Sequence, residues 1–234
     1  MFRFKQFTVQ QDRCAMKVGT DGVLLGAWAP VDHRPETILD IGTGSGLIAL
    51  MLAQRTDAEQ IDALEIDPDA YEQATENFEE SPWGDRLFCF HAGLDEFLDD
   101  PEQQYDLIVS NPPFHTEHIS PSDAARKLAR FADSLPLEEL VAAASVLLSP
   151  TGFFAVILPF KMESHFISGM QEAGFHLAKL TRVKGTSETP VKRSLMAFSR
   201  QQTTPDVSEL ILEEERHEYT PEFSALVRDF YLKL

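Results

Sequence analysis

The sequence predicts an α/β protein built on a doubly wound, mostly parallel sheet. From Thr37 onward, short apolar runs of strand length alternate with segments of helical length. Prolines and glycines mark boundaries between them, and no internal repeat or low-complexity linker interrupts the pattern. Strands alternating with helices imply parallel βαβ units, which bind ligands beyond the C-terminal ends of their strands.

Each element can be read in turn. Thr37–Ile41 is the first core strand and Leu47–Arg55 a helix. Ile61–Ile66 is the second strand, and Pro68 opens a helix at the position where proline is best tolerated. Leu87–His91 and Tyr105–Val109 are the third and fourth strands. Leu137–Leu148 is a strongly apolar helix stopped by Pro150, Thr151 and Gly152. Phe153–Leu158 is the fifth strand, followed by a helix over about 161–173. Two more strands over about 175–199, around a polar turn at 184–192, bring the sheet to seven. Residues 1–35 read as a cap of strand and short helix. The economical division is one domain, 1–234, with the cap at 1–35 and the core at 36–234.

Composition narrows the function classes. The 234 residues are enough for a full core, and no run approaches the roughly 18 apolar residues of a membrane span. Met1–Lys5 lacks the apolar segment of a signal peptide, so a cytoplasmic protein is expected. Only Cys14 and Cys89 are present, which disfavours a disulfide framework, and no cysteine–histidine spacing suggests a metal site. Nothing requires more than a monomer. The net charge of −18 is unevenly spread: residues 36–122 alone carry −18, while residues 1–35 carry +2 and residues 123–203 carry +3. A structured RNA partner is compatible with such local basic surface; indiscriminate duplex binding is not.

Two stretches carry chemistry. In Leu39–Leu47, Gly42, Gly44 and Gly46 follow a strand and open a helix, so the backbone can approach a ligand closely. The spacing is D-x-G-x-G-x-G from Asp40. It is neither the dinucleotide fingerprint, whose third glycine would fall at Leu47, nor a lysine-closed phosphate loop. Glu65 ends the second strand 19 residues after Gly46, where a carboxylate can take both ribose hydroxyls, and Ile66 beside it can lie on a purine face. The second stretch is Ser110–Phe114, where Asn111, Pro112, Pro113 and Phe114 close the fourth strand. The Asn111 side-chain oxygen and the Pro112 carbonyl can accept the two N–H bonds of a planar amine and turn its lone pair outward. The prolines fix the carbonyl's direction, and Phe114 can stack on the substrate.

Together, D-x-G-x-G-x-G, Glu65 and N-P-P-F resemble the class I S-adenosylmethionine-dependent methyltransferases, specifically those that methylate amines. The resemblance implies a seven-stranded Rossmann-like sheet. It also implies that Asp40, Gly42, Gly44 and Gly46 surround the cofactor's methionine and ribose, with Glu65 on the ribose hydroxyls. Relatives commonly carry Asp near the end of the third strand for the adenine amine; here Gly93 stands there, and Asp95, two residues on, is the candidate substitute.

N-P-P-F alone does not separate adenine N6, guanine N2 and glutamine-amide methylation. Residues 4–28, above all Lys17–Trp28, resemble the opening of the bacterial tRNA-1(Val) (adenine-37-N6)-methyltransferases, and the similarity extends over essentially the whole chain. It implies a tRNA substrate, Thr20 and Asp21 near the cofactor's methionine end, and Lys17 near cofactor or substrate. Asp21 also reads as a helix N-cap. Arg126 and Arg130, four apart, share a helix face after a polar loop at 115–122 that is a candidate lid. They, with Lys192 and Arg193 on the late turn, are either RNA-phosphate contacts or solvated charges. Two competing readings remain: glutamine methylation of a protein, for which 35 preceding residues are short of a gripping domain, and a catalytically silent RNA-binding module.

Overall fold

The structure, a computed structural model, describes residues 1–99, 103–113, 136–216 and 218–233. Residues 1–35 hold a two-stranded hairpin, β1 (Phe2–Arg3) and β2 (Thr8–Val9), and helix α1 (Thr20–Trp28). The core runs β3 (Thr37–Ile41), α2 (Leu47–Arg55), β4 (Gln60–Glu65), α3 (Pro68–Glu79), β5 (Leu87–His91), α4 (Leu94–Asp99) and β6 (Tyr105–Ser110). After residue 135 it continues through α5 (Leu137–Leu147), β7 (Leu148–Pro159), a 3-10 turn (Phe160–Met162), α6 (Glu163–Glu172), β8 (His176–Lys184) and β9 (Arg193–Ser199). The C-terminal part adds β10 (Asp206–Ile211), a small hairpin of β11 (Glu213–Glu215) and β12 (Glu218–Tyr219), and α7 (Pro221–Val227).

The main sheet has eight strands, in the order β10-β8-β9-β7-β6-β3-β4-β5. All run the same way except β9, which is antiparallel to both β7 and β8. The sequence led to an expectation of seven; the eighth is β10, which pairs in parallel with β8 at the edge. Most of its residues are exposed, so it lacks the alternating apolar signature by which a half-buried strand is read.

Helices cover both faces. α1, α2, α3 and α7 pack one side around Leu24, Leu50, Phe78 and Phe223. α4, α5 and α6 pack the other around Leu94, Leu140, Leu147, Phe166 and Met170. α5 shows why: its buried residues are Leu140, Ala143, Ala144 and Leu147, one helical stripe laid on the sheet. Asp67 starts α3 by accepting a hydrogen bond from the Ala70 amide at 2.8 Å, with Pro68 in the first turn. Sequence order reverses between β3 and β6, from which successive strands are laid outward in opposite directions. α2, which follows β3, packs one face and α5, the first described helix after β6, packs the other, so the ends of these two strands border a crevice. Among the described residues no helix is long and apolar enough to cross a membrane.

Candidate active site at the switch point

The loop after β3 forms one wall of that crevice. Gly42, Gly44 and Gly46 all have positive φ, at 72°, 58° and 82°. A side chain would be strained at each, but their surroundings differ. A Cβ on Gly42 or Gly44 would meet nothing within 4 Å, so both present bare backbone to open space. A Cβ on Gly46 would stand 2.5 Å from the Phe78 ring, so that glycine also serves packing. The Gly42 and Thr43 amides both donate to the Leu64 carbonyl at 3.0 Å, seating the loop on the end of β4.

Beneath the loop lies Asp40, fully buried. Its Oδ2 accepts from Thr43 Oγ1 at 2.6 Å and from the Ala49 amide at 3.3 Å, while Oδ1 has no partner among the described residues. Burial pushes its carboxyl up to about 7 and the charge of Glu65 acts the same way, against the hydrogen bonds from Thr43 and Ala49. The folded protein therefore holds a proton that an unfolded carboxyl, with its ordinary value of 3.8, releases sooner. That contribution to stability is complete below about pH 4 and is lost as pH rises through 7. Asp62, also raised by burial, adds a contribution of the same sign. The melting temperature of the ligand-free wild type is expected to fall more between pH 5 and pH 8 than that of Asp40→Asn. Parallel curves for the two proteins would show that Asp40 does not titrate in this range.

Glu65, nearly buried at the end of β4, holds two amides: Oε2 accepts from Gly44 N at 2.7 Å and Oε1 from Asp67 N at 2.9 Å. Each oxygen keeps a second lone pair for a ligand hydroxyl. Ile66 follows it and is 68% exposed, an apolar side chain on offer to a flat ring. At Gly93 an added Cβ would stand 2.5 Å from Asp95 Oδ1 and 3.6 Å from Ile66 Cδ1. The Asp95 carboxylate, in the first turn of α4, thus fills the room that the missing side chain at 93 leaves, beside Ile66. No sequence pattern singled out His91, whose ring stacks on Tyr71 at 5.2 Å and whose Nε2 lies 3.1 Å from the Ile66 carbonyl.

The Asn-Pro-Pro segment after β6 sits opposite. Ser110, paired in register with Ile41, donates its hydroxyl to the Ile41 carbonyl at 2.9 Å, which fastens the end of β6 to the start of the glycine loop. Asn111 follows immediately, then Pro112, buried, and Pro113. The Asn111 Nδ2 lies 3.9 Å from where a Cβ on Gly22 would stand, so the first turn of α1 backs this side chain. Among the described residues the Asn111 side chain makes no hydrogen bond. Phe114 lies outside the described residues, as do Arg126, Arg130 and the polar loop before them.

The cap residues take individual places. Thr20 begins α1, exposed. Asp21 does not cap that helix: the N-cap is Gly19, without a side-chain bond, and the Asp21 carboxylate instead accepts from Arg193 Nε at 2.8 Å. Lys17 donates to the Gln11 and Cys14 carbonyls, closing the turn between them. Cys14 is buried next to Glu65; burial, then the charge of Glu65, pushes its thiol up to about 11. Asn77 ties this segment to the glycine loop, donating to the Gln10 and Ser45 carbonyls at 2.9 and 2.8 Å. On the far side of the crevice Lys192 stands at the turn before β9, its amide on the Val183 carbonyl at 2.9 Å.

S-adenosylmethionine fits these groups. The loop offers side-chain-free backbone at Gly42 and Gly44, Asp40 an unpartnered buried carboxyl oxygen beneath it, Glu65 two oxygens with spare lone pairs, and Ile66 with Asp95 an apolar face beside an acceptor. Among the described residues no group of histidine, cysteine or acidic side chains could hold a metal ion. A glycine loop and ribose-type acid on one side of a parallel-sheet switch point, with Asn-Pro-Pro on the other, define a class I S-adenosylmethionine-dependent methyltransferase. A family model described as Methyltransferase small domain matches residues 22–173. A tRNA1(Val) (adenine(37)-N6)-methyltransferase of Flavobacterium johnsoniae is 63% identical over 235 residues, covering 100% of both chains. One of the same name from Flavobacterium psychrophilum is 59% identical, again over 100% of both. The chain belongs to the methyltransferase small domain family and, within it, to the tRNA1(Val) (adenine(37)-N6)-methyltransferases. The fold extends further: the crystal structure of a predicted O-methyltransferase from Agrobacterium tumefaciens matches with a TM-score of 0.68 at 16% identity, over 90% of this chain and 96% of that one.

Proposed function

We propose that this chain transfers a methyl group from S-adenosylmethionine to the N6 amine of adenine 37 in tRNA1(Val), in the bacterial cytoplasm where that substrate resides. The observation that carries the reading is the placement of Asn111 and Pro112 across the crevice from the glycine loop, fixed by the Ser110–Ile41 hydrogen bond. The cofactor supplies an electrophilic methyl group on a sulfonium, whose departure as a neutral thioether needs little acid or base help. The burden falls on the nucleophile, because the exocyclic nitrogen of adenine delocalises its lone pair into the ring. The Asn111 oxygen and Pro112 carbonyl accept its two N–H bonds and turn that lone pair toward the crevice. Their fixed positions mean that little reorganisation accompanies reaction. A base in the anticodon loop must leave its stack to reach these groups. Full-length identity to the Flavobacterium proteins supports the choice of amine, which the loop alone does not make.

The test is methylation of purified tRNA with methyl-labelled cofactor, followed by nucleoside analysis. Label is expected in N6-methyladenosine and is expected to vanish from a tRNA1(Val) transcript with guanosine at position 37. Label in N2-methylguanosine, or in a protein glutamine in place of RNA, would overturn the assignment.

A further inference from the structure

The catalytic edge continues beyond Asn111 to where β7 and β8 end and β9 begins, and this corner has its own construction. β7 leaves the sheet at Pro159, opposite Arg193, and Phe160 follows with its amide bonded to the Lys192 carbonyl at 3.1 Å. Phe160 is 42% exposed. The Arg182 guanidinium lies over it, its Cζ 5.7 Å from the ring centroid. That guanidinium is held in place from below. Glu163, only 4% exposed, accepts from Arg182 Nη2 at 2.6 Å and from Nε at 3.1 and 3.2 Å, and its Oε2 also accepts from Ser194 Oγ at 2.5 Å. Burying a carboxylate is unfavourable unless it is fully engaged, and here its partners are a cation and a hydroxyl on adjacent strands. Arg182 Nη1 donates to nothing among the described residues. Lys161 follows Phe160 in the chain, and Lys192 and Arg193 lie beside it in register. Three acids near this corner are paired with cations, Glu163 with Arg182, Asp21 with Arg193 and Glu209 with Lys184 at 3.1 Å, while Glu188 on the turn is exposed.

We propose that this corner grips the RNA beside the extruded adenine, Phe160 stacking on a neighbouring unpaired base while Arg182, Lys161 and Lys192 meet the adjoining phosphates. The proposal rests on the tRNA reading above and deepens it. Register places the corner within reach of the target. Ser110 pairs with Val156, so Phe160 lies one strand over and roughly 10 Å farther along the strand direction than Asn111. An aromatic ring under a fixed guanidinium is what unstacked RNA bases and their phosphates call for. Phe88 and Phe90 are as exposed, but they lie on β5 at the opposite edge, within the 36–122 segment that carries −18. Phosphate is repelled there and attracted at Phe160.

The experiment uses the anticodon stem-loop of tRNA1(Val) as probe, with binding followed by fluorescence anisotropy over a salt series. Phe160→Ala is expected to weaken RNA binding roughly tenfold without changing the salt slope, because stacking displaces no counterion. Phe160→Leu, which keeps apolar volume, is expected to lose as much, and Phe160→Trp to retain affinity. Lys161→Ala together with Lys192→Ala is expected to flatten the slope by about one unit for each phosphate no longer neutralised. Calorimetric affinity for S-adenosylmethionine is expected to be native in every variant. Native RNA affinity in folded Phe160→Ala, or full retention in Phe160→Leu, would overturn the stacking role. An unchanged salt slope in the double lysine variant would overturn the phosphate role. If the wild type binds and methylates tRNA while these variants behave natively, only the corner is misassigned; if the wild type methylates no tRNA, the functional reading itself falls.

Discussion

Asn111→Ala is expected to lower the turnover of methyl transfer on the order of a hundredfold, about 3 kcal/mol, while affinities for cofactor and tRNA change little. The split follows from where the residue acts. Its side chain is backed by the first turn of α1 and makes no hydrogen bond among the described residues, so removing it leaves little of the fold unsatisfied. The missing interaction is one that strengthens as the amine nitrogen turns its lone pair out of conjugation, so it belongs to the transition state more than to the bound substrate. Asn111→Asp keeps an acceptor oxygen and is expected to retain part of the activity. Steady-state kinetics with separate kcat and KM for tRNA check this. An alanine variant working at the native rate would reduce Asn111-Pro-Pro to a stiff turn.

Glu65→Ala is expected to weaken S-adenosylmethionine binding by about a hundredfold or more, because two sets of hydrogen bonds fail together. The carboxylate holds the Gly44 and Asp67 amides, so its removal loosens the floor of the glycine loop and the start of α3. The same oxygens are the ones proposed to take ribose hydroxyls, and hydrogen bonds to a charged acceptor contribute about 1.5–3 kcal/mol each. Calorimetry on the folded variant measures the change, and native affinity would remove Glu65 from the site. A small decrease in melting temperature is also expected, from the two released amides.

Much of this site was legible in the sequence because its parts are local. A strand that ends in glycines at D-x-G-x-G-x-G spacing must turn with positive φ, and Gly42, Gly44 and Gly46 do. Two prolines after Tyr105–Val109 must end that strand, which stops at Ser110. Alternation of strands and helices required a parallel sheet, and a parallel sheet set the edge on which Glu65 and Asn111 both lie.

What only the tertiary structure decided is partnership. Periodicity reports that a face is buried but not what covers it. Nothing local shows that Asp21 meets Arg193 across 172 positions of chain in place of capping its own helix. Nothing local shows that Glu65 clamps the loop it follows by 21 residues, or that Asp95 folds back into the room left by Gly93. Nothing local shows that Glu163, in the first turn of α6, receives Arg182 from β8 and Ser194 from β9. β10 was invisible for the same reason, since an edge strand with one neighbour and mostly solvated side chains leaves no alternation to read. The sequence by itself determined which chemical groups stand at the ends of which strands. The reversal of β9 and the order of the sheet decided which of them touch, because meetings between distant segments are set by strand pairing and not by spacing along the chain.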